Sequence, residues 1–167
     1  MNKMASSDKR IRKIIAAIDL SIYSKNTLEY ANEVSQTTGA ELMIINIINL
    51  KEIDLTKKII ASKYPDDFSL ETYFPRKINL RRLRIKALMI ECGFVERPTI
   101  KIIINHGIPF QEILRGIEEE EADLLVIGQK GRTNLQEFLF GSVAEKLFRH
   151  SPVPVMSLRT RSEYNTT

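Results

Sequence analysis

The sequence predicts an α/β fold, an open five-stranded parallel sheet with helices on both faces. Two observations carry this expectation. Five short aliphatic runs recur along the chain, at Ile14–Ile18, Leu42–Ile48, Ile100–Ile104, Leu124–Ile127 and Val155–Leu158. They are continuously apolar and rich in β-branched residues, which is how strands look when both faces of a sheet are covered. Helical patterns lie between them, and strand–helix alternation of this kind builds parallel sheets through right-handed crossovers.

The helices follow in order. Leu28, Ala31 and Val34 share a face of Ser24–Thr38, and Gly39 stands where a helix end favours glycine. Leu80, Leu83, Ala87 and Ile90 form the next apolar stripe, closed by Gly93. Phe110, Ile113, Leu114 and Ile117 fit the i, i+3, i+4, i+7 template, with Pro109 at the first turn. Ala144, Leu147 and Phe148 repeat the pattern before Pro152. One stretch breaks the rhythm: Asn49 to Ile78 contains Pro65 and Pro75 and reads as a long connection, with a short helix at Lys57–Tyr64. Connections of that length in compact domains are often functional.

Length and composition set the outer bounds. The 167 residues carry 25 Lys+Arg against 21 Asp+Glu, a net charge of +4, with 43% hydrophobic residues. One domain over 1–167 is the expectation, large enough to bury roughly 70% of its unfolded surface without staples. The single Cys92 excludes an intramolecular disulfide framework. No apolar run approaches the roughly 20 residues that span a bilayer, and Met1–Arg10 lacks the apolar core of a secretory signal. A cytoplasmic protein with no membrane partner is expected. Net charge this small tilts non-specific binding without specifying a partner. The basic cluster from Arg76 to Lys86 and the acidic block Glu118–Glu121 therefore read as solvated helix surfaces. Nucleic acid binding through Arg76–Lys86 remains a rival, marked by steep salt dependence.

Ligands of open α/β sheets sit beyond the carboxyl ends of the strands. Asp19 follows the first strand, as a turn residue or as an acceptor for a ribose or base. Asn105-His106-Gly107 follows the third strand as a loop. Gly128-Gln129-Lys130-Gly131-Arg132 follows the fourth and runs on to Gly141-Ser142-Val143. Glycines there permit positive φ or close approach of backbone to a ligand. Successive backbone N–H groups, and the amides opening a helix at Gly141-Ser142, form an anion site, with Lys130 and Arg132 adding positive charge. The plain alternative is a structural loop with a capping box, Ser142-x-x-Glu145. Neither the dinucleotide fingerprint nor a Walker A loop is present. Cys92, His106 and His150 do not form a convincing nucleophile–base set, zinc-ligand spacing is absent, and no catalytic residue is assigned.

Gly128-x2-Gly131-x9-Gly141-Ser142 resembles the ATP-binding signature of the universal stress protein family. The likeness extends to Ala122–Gly128, to Ser151–Val155 and to Ile14–Ser21 with its terminal Asp19, covering roughly Arg12 to Arg159 apart from the long connection. It implies a Rossmann-like sandwich of the adenine nucleotide alpha hydrolase type. Position by position, it implies Ala17, Ile18 and Asp19 at the adenosine, and Ile47 at the adenine. It places Ile127, Gly128 and Gly131 at ribose and phosphates, and Gly141, Ser142 and Val143 at the phosphates. Lys130 and Asn46 stand where many members have His. The resemblance further implies ATP with magnesium or manganese, slow or no hydrolysis, and a homodimer through the last strand, Val153–Leu158. A stress-response role through nucleotide-dependent conformation or an unknown protein partner is expected. The alternative is a nucleotide-free dimerisation domain of the same fold. A nucleotidyltransferase is disfavoured, since the segment after Asp19 reads Leu-Ser-Ile-Tyr and lacks a His-x-Gly-His loop.

Overall fold

A computed structural model describes residues 11–63, 69–94, 98–130 and 141–159. The strands are β1 (Lys13–Ala17), β2 (Glu41–Asn49), β3 (Ile100–Gly107), β4 (Leu124–Gly128) and β5 (Val155–Leu158). The helices are α1 (Ser24–Thr38), α2 (Leu50–Lys63), α3 (Leu70–Glu91), α4 (Pro109–Glu119) and α5 (Ser142–His150). All strand pairings are parallel, in the order β3-β2-β1-β4-β5.

The continuous apolar runs are explained by a core on each side of this sheet. Successive side chains of a strand point to opposite faces. Ile14, Ala16, Leu42, Ile44, Leu124 and Val126 thus pack with Leu28 and Ala31 of α1 and Ile85 of α3. Ile15, Met43, Ile45, Leu125 and Ile127 pack on the other side with Ile113 and Ile117 of α4 and Ala144 and Leu147 of α5. Gly39 ends α1 in the left-handed conformation, at φ 71°, and Pro109 opens α4 in its first turn, both as the sequence predicts.

Three stretches differ from expectation. The connection between Asn49 and Ile78 is largely helical: α2 begins at Leu50, and α3 begins at Leu70 and runs through Pro75. Pro75 lies past the first turn and has no N–H to donate to the Glu71 carbonyl, so α3 runs on with that one bond missing. Pro65 and Tyr64 lie outside the described residues. Within α3, the stripe expected to be buried faces outward, with Leu80 53%, Leu83 66% and Ile90 77% exposed. The side packed on the sheet is Arg81 and Ile85, followed by the half-buried Leu88, Met89 and Cys92. Apolar spacing alone could not choose between these stripes, because the inner one carries a cation whose partners lie on other elements. Finally, Asn105, His106 and Gly107 belong to β3 rather than to a loop, since they continue its register opposite Ile47, Ile48 and Asn49. The His106 ring there meets Phe74 of α3, with centroids 4.5 Å apart.

Candidate functional site

The chain order places β2 and β3 on one side of β1, and β4 and β5 on the other. The connections leaving β1 and β4 therefore diverge, and a crevice opens between them at the strands' carboxyl ends. Ala17 and Ile127 are register partners at this point. The cleft has a volume of about 560 Å³, within the range of small-molecule sites.

Its walls can be built element by element. From the β1 exit come Ala17, Ile18 and Asp19. Asp19 Oδ1 accepts from the Ser21 amide at 3.0 Å and from the Ser24 hydroxyl at 3.3 Å. This is an Asx turn, and it holds Leu20 at φ 61°. A non-glycine residue in that region carries strain of about 1–2 kcal/mol, and such strain concentrates at ligand sites. Tyr23, Ser24 and Thr27 of the α1 start complete this side. From β2 come Ile45, Ile47 and Asn49, followed by Lys51, Glu52 and Leu55 of α2. Asn49 Oδ1 accepts from the Lys51 amide at 3.0 Å, which turns the chain from strand into helix at the cleft edge.

The fourth strand supplies Ile127, Gly128, Gln129 and Lys130. A Cβ added to Gly128 would stand 3.2 Å from the Lys130 carbonyl oxygen, 3.3 Å from Thr27 Oγ1 and 3.4 Å from Tyr23 Cβ. The β4 exit thus passes close to α1, and glycine allows it. The Gly141 amide donates to the Gln129 carbonyl at 2.9 Å, which seats the start of α5 against the β4 exit.

Gly141, Ser142 and Val143 all line the cleft. The capping box at Ser142 does not form: the N-cap is Gly141, which brings no capping side chain, and Ser142 is already the first residue of the helix. Glu145, the other half of the expected box, instead pairs with Arg149 at 2.9 Å. The opening amides of α5 therefore present an electropositive end to the cleft.

Ten of the twelve predicted site residues lie on this wall: Ala17, Ile18, Asp19, Ile47, Ile127, Gly128, Lys130, Gly141, Ser142 and Val143. The other two, Gly131 and Arg132, lie outside the described residues. Sequence reasoning missed Tyr23, Thr27, Gln129 and the α2 contribution of Lys51, Glu52 and Leu55. Only the long-connection anomaly pointed toward α2.

Cys92 lies elsewhere, at the end of α3, with its Sγ 3.7 Å from the Lys25 carbonyl oxygen. Burial pushes its thiol above the ordinary value, and the charge of Glu29 adds to this while Lys25 opposes it. A thiol held protonated is a poor nucleophile. Among the described residues, no group of three or more His, Cys, Asp or Glu side chains is placed to hold a metal ion. Nor is any helix among them long and apolar enough to cross a membrane.

Comparison with known proteins bears on the same frame. The family model described as the universal stress protein family matches residues 10–159. The universal stress protein MJ0531 of Methanocaldococcus jannaschii is 40% identical over 149 residues, covering 89% of this chain and 82% of its own. The universal stress protein MJ0577 of the same organism is 26% identical over 160 residues, covering 90% of this chain and 96% of its own. The solved structure of MJ0577 superposes with a TM-score of 0.69 over 91% of this chain and 98% of that one. UspA of Lactobacillus plantarum, at 18% identity, matches in fold with a TM-score of 0.65, covering 90% of this chain and 99% of its own.

Proposed function

The chain belongs to the universal stress protein family, and from that premise we propose that it binds ATP in the cleft between the β1 and β4 exits. Binding would serve regulation in the stress response, through nucleotide-dependent conformation or choice of a protein partner. The observation that carries this reading is the start of α5. Its opening amides, with glycine at the N-cap, line the same cleft as Asp19 beyond the end of β1. A helix N-terminus favours phosphate, and a carboxylate accepts hydrogen bonds from ribose hydroxyls.

In this reading Ala17, Ile18 and Asp19 hold the nucleoside, with Ile47 against the adenine. Ile127 and Gly128 pass beneath the ribose and phosphates, and Ser142 and Val143 meet the phosphates with Lys130 nearby. Gly131 and Arg132 belong to the same phosphate loop. Magnesium or manganese would enter as the nucleotide's counter-ion, held by phosphates and water as magnesium commonly is. The described residues do not form a cation cage of their own.

Turnover would be slow or absent. Among the described residues two carboxylates line the cleft, and both are engaged: Asp19 by Ser21 and Ser24, Glu52 by Lys77 and Arg81. A general base must be placed to take a proton from attacking water, and in this reading Asp19 serves the nucleoside and Glu52 serves Lys77 and Arg81. Homodimerisation would use Val153–Leu158, because β5 is an edge strand whose unpaired backbone groups can continue the sheet.

Native mass spectrometry of gently purified protein tests this. The expected spectrum is a dimer that retains ATP mass, or takes it up on titration with ATP and magnesium. A protein that emerges nucleotide-free and binds no ATP at millimolar concentration would favour the dimerisation-domain alternative instead.

A further inference from the structure

Arg81 is 3% exposed, one turn before the apolar Ile85, Leu88 and Met89 that α3 packs on the sheet. Its guanidinium joins two elements. Nη1 donates to Asn46 Oδ1 at 3.2 Å, and Nη2 donates to both carboxylate oxygens of Glu52, at 3.1 and 2.9 Å. Lys77, one turn earlier, reaches the same carboxylate at 2.7 Å. Asn46 is fully buried on β2, and its Nδ2 donates to the Ile18 carbonyl at 2.7 Å. Since an amide has one acceptor end and one donor end, the guanidinium on one side and the carbonyl on the other fix its orientation.

Both ends of this chain of bonds reach the cleft. Ile18 lines it at the β1 exit, next to Asp19 and the strained Leu20, and Glu52 lines it from α2. Arg81 itself is not on the cleft wall. A buried ion pair is commonly no better for stability than an apolar replacement of similar size. A methionine would suit the stripe formed by Ile85, Leu88 and Met89, so packing alone does not call for a cation there.

We propose that Arg81 is a positioning residue for the nucleoside end of the cleft: it holds the Ile18 carbonyl through Asn46 and the α2 wall through Glu52. This rests on the nucleotide reading given above. Without the guanidinium, Asn46 loses the partner that orients it, the β1 exit is free to relax from its strained turn, and Glu52 of α2 loses both of its bonds to Arg81. The phosphate end is built from the β4 exit and α5, elements that carry none of Arg81, Asn46, Ile18 and Glu52.

Three ligands separate the two ends: ATP, adenosine and inorganic tripolyphosphate, titrated calorimetrically into the parent, Arg81→Met and Arg81→Lys. Arg81→Met should weaken ATP and adenosine by about tenfold, near 1.4 kcal/mol, and leave tripolyphosphate within about twofold. Arg81→Lys retains the charge beside Glu52 but not the two-sided fork, so it should recover part of the adenosine affinity. A folded Arg81→Met that binds adenosine like the parent overturns the proposal. So does an equal loss for tripolyphosphate, which would mean general loosening. Should Arg81→Met fail to fold, Arg81→Lys decides alone, and parent-like adenosine affinity then overturns the proposal. A parent that binds neither ATP nor adenosine overturns the nucleotide reading itself, and this proposal with it.

Discussion

Gly128→Val is expected to lower ATP affinity roughly tenfold to a hundredfold, with the circular dichroism spectrum of the parent retained. The first added carbon already stands 3.2–3.4 Å from the Lys130 carbonyl, Thr27 and Tyr23. The nearest of these is a backbone carbonyl, so even Gly128→Ala requires a shift of a few tenths of an ångström. The two further methyls of valine must press on α1 or project into the cleft. Overpacking of this kind costs about 1–3 kcal/mol, and 1.4 kcal/mol is tenfold in affinity. Calorimetric titration beside thermal melts separates the two routes. Lost binding with an unchanged melt places the methyls in the ligand's path, whereas a lowered melt places them against α1.

The second large effect is on stability. Leu125→Ala removes a side chain that is fully buried on β4, among Ile15, Ala144 and Leu147. Both the lost burial and the cavity left behind count, for about 2–5 kcal/mol in total. Domains have only about 5–15 kcal/mol of stability, so this single truncation should remove a large share of it. Urea unfolding should show the midpoint falling by roughly 1–2 M with the slope unchanged, given slopes of about 1–3 kcal/mol per molar urea. An effect under about 1 kcal/mol would mean that α5 closes over the gap.

Much of this architecture was legible because its signals are local. Continuous aliphatic runs such as Leu42–Ile48 can be read without knowing what covers them, and a sheet buried on both faces makes such runs. The same holds for the glycines and Asp19, whose place beyond strand ends follows from the alternation itself. What escaped is what depends on partners distant in sequence. Arg81 looked like one more surface cation in a basic cluster, yet Asn46 and Glu52 draw it into the interior. The outward Leu80–Leu83–Ile90 stripe was misjudged for the same reason. His106 was assigned to a loop because a polar Asn-His-Gly run resembles a turn; the pairing with β2 that makes it a strand is invisible locally. The capping box failed because Ser142 lies one position inside the helix, a difference finer than sequence spacing resolves. In the cleft, the residues found lie at the strand exits or at the glycine-marked start of α5, and those missed are Gln129 and residues of the α1 start and of α2.

The central claim is that the start of α5 and the β4 exit receive phosphate while the β1 exit receives the nucleoside. Amide chemical shifts, followed by NMR as ATP and then adenosine are added to the isotope-labelled protein, test it most directly. ATP should move the Ser142 and Val143 amides together with those of Ile18, Asp19 and Gly128, whereas adenosine should move Ile18, Asp19 and Gly128 and leave Ser142 and Val143 in place. Shifts confined to other surfaces, or none at saturating ATP, would contradict it.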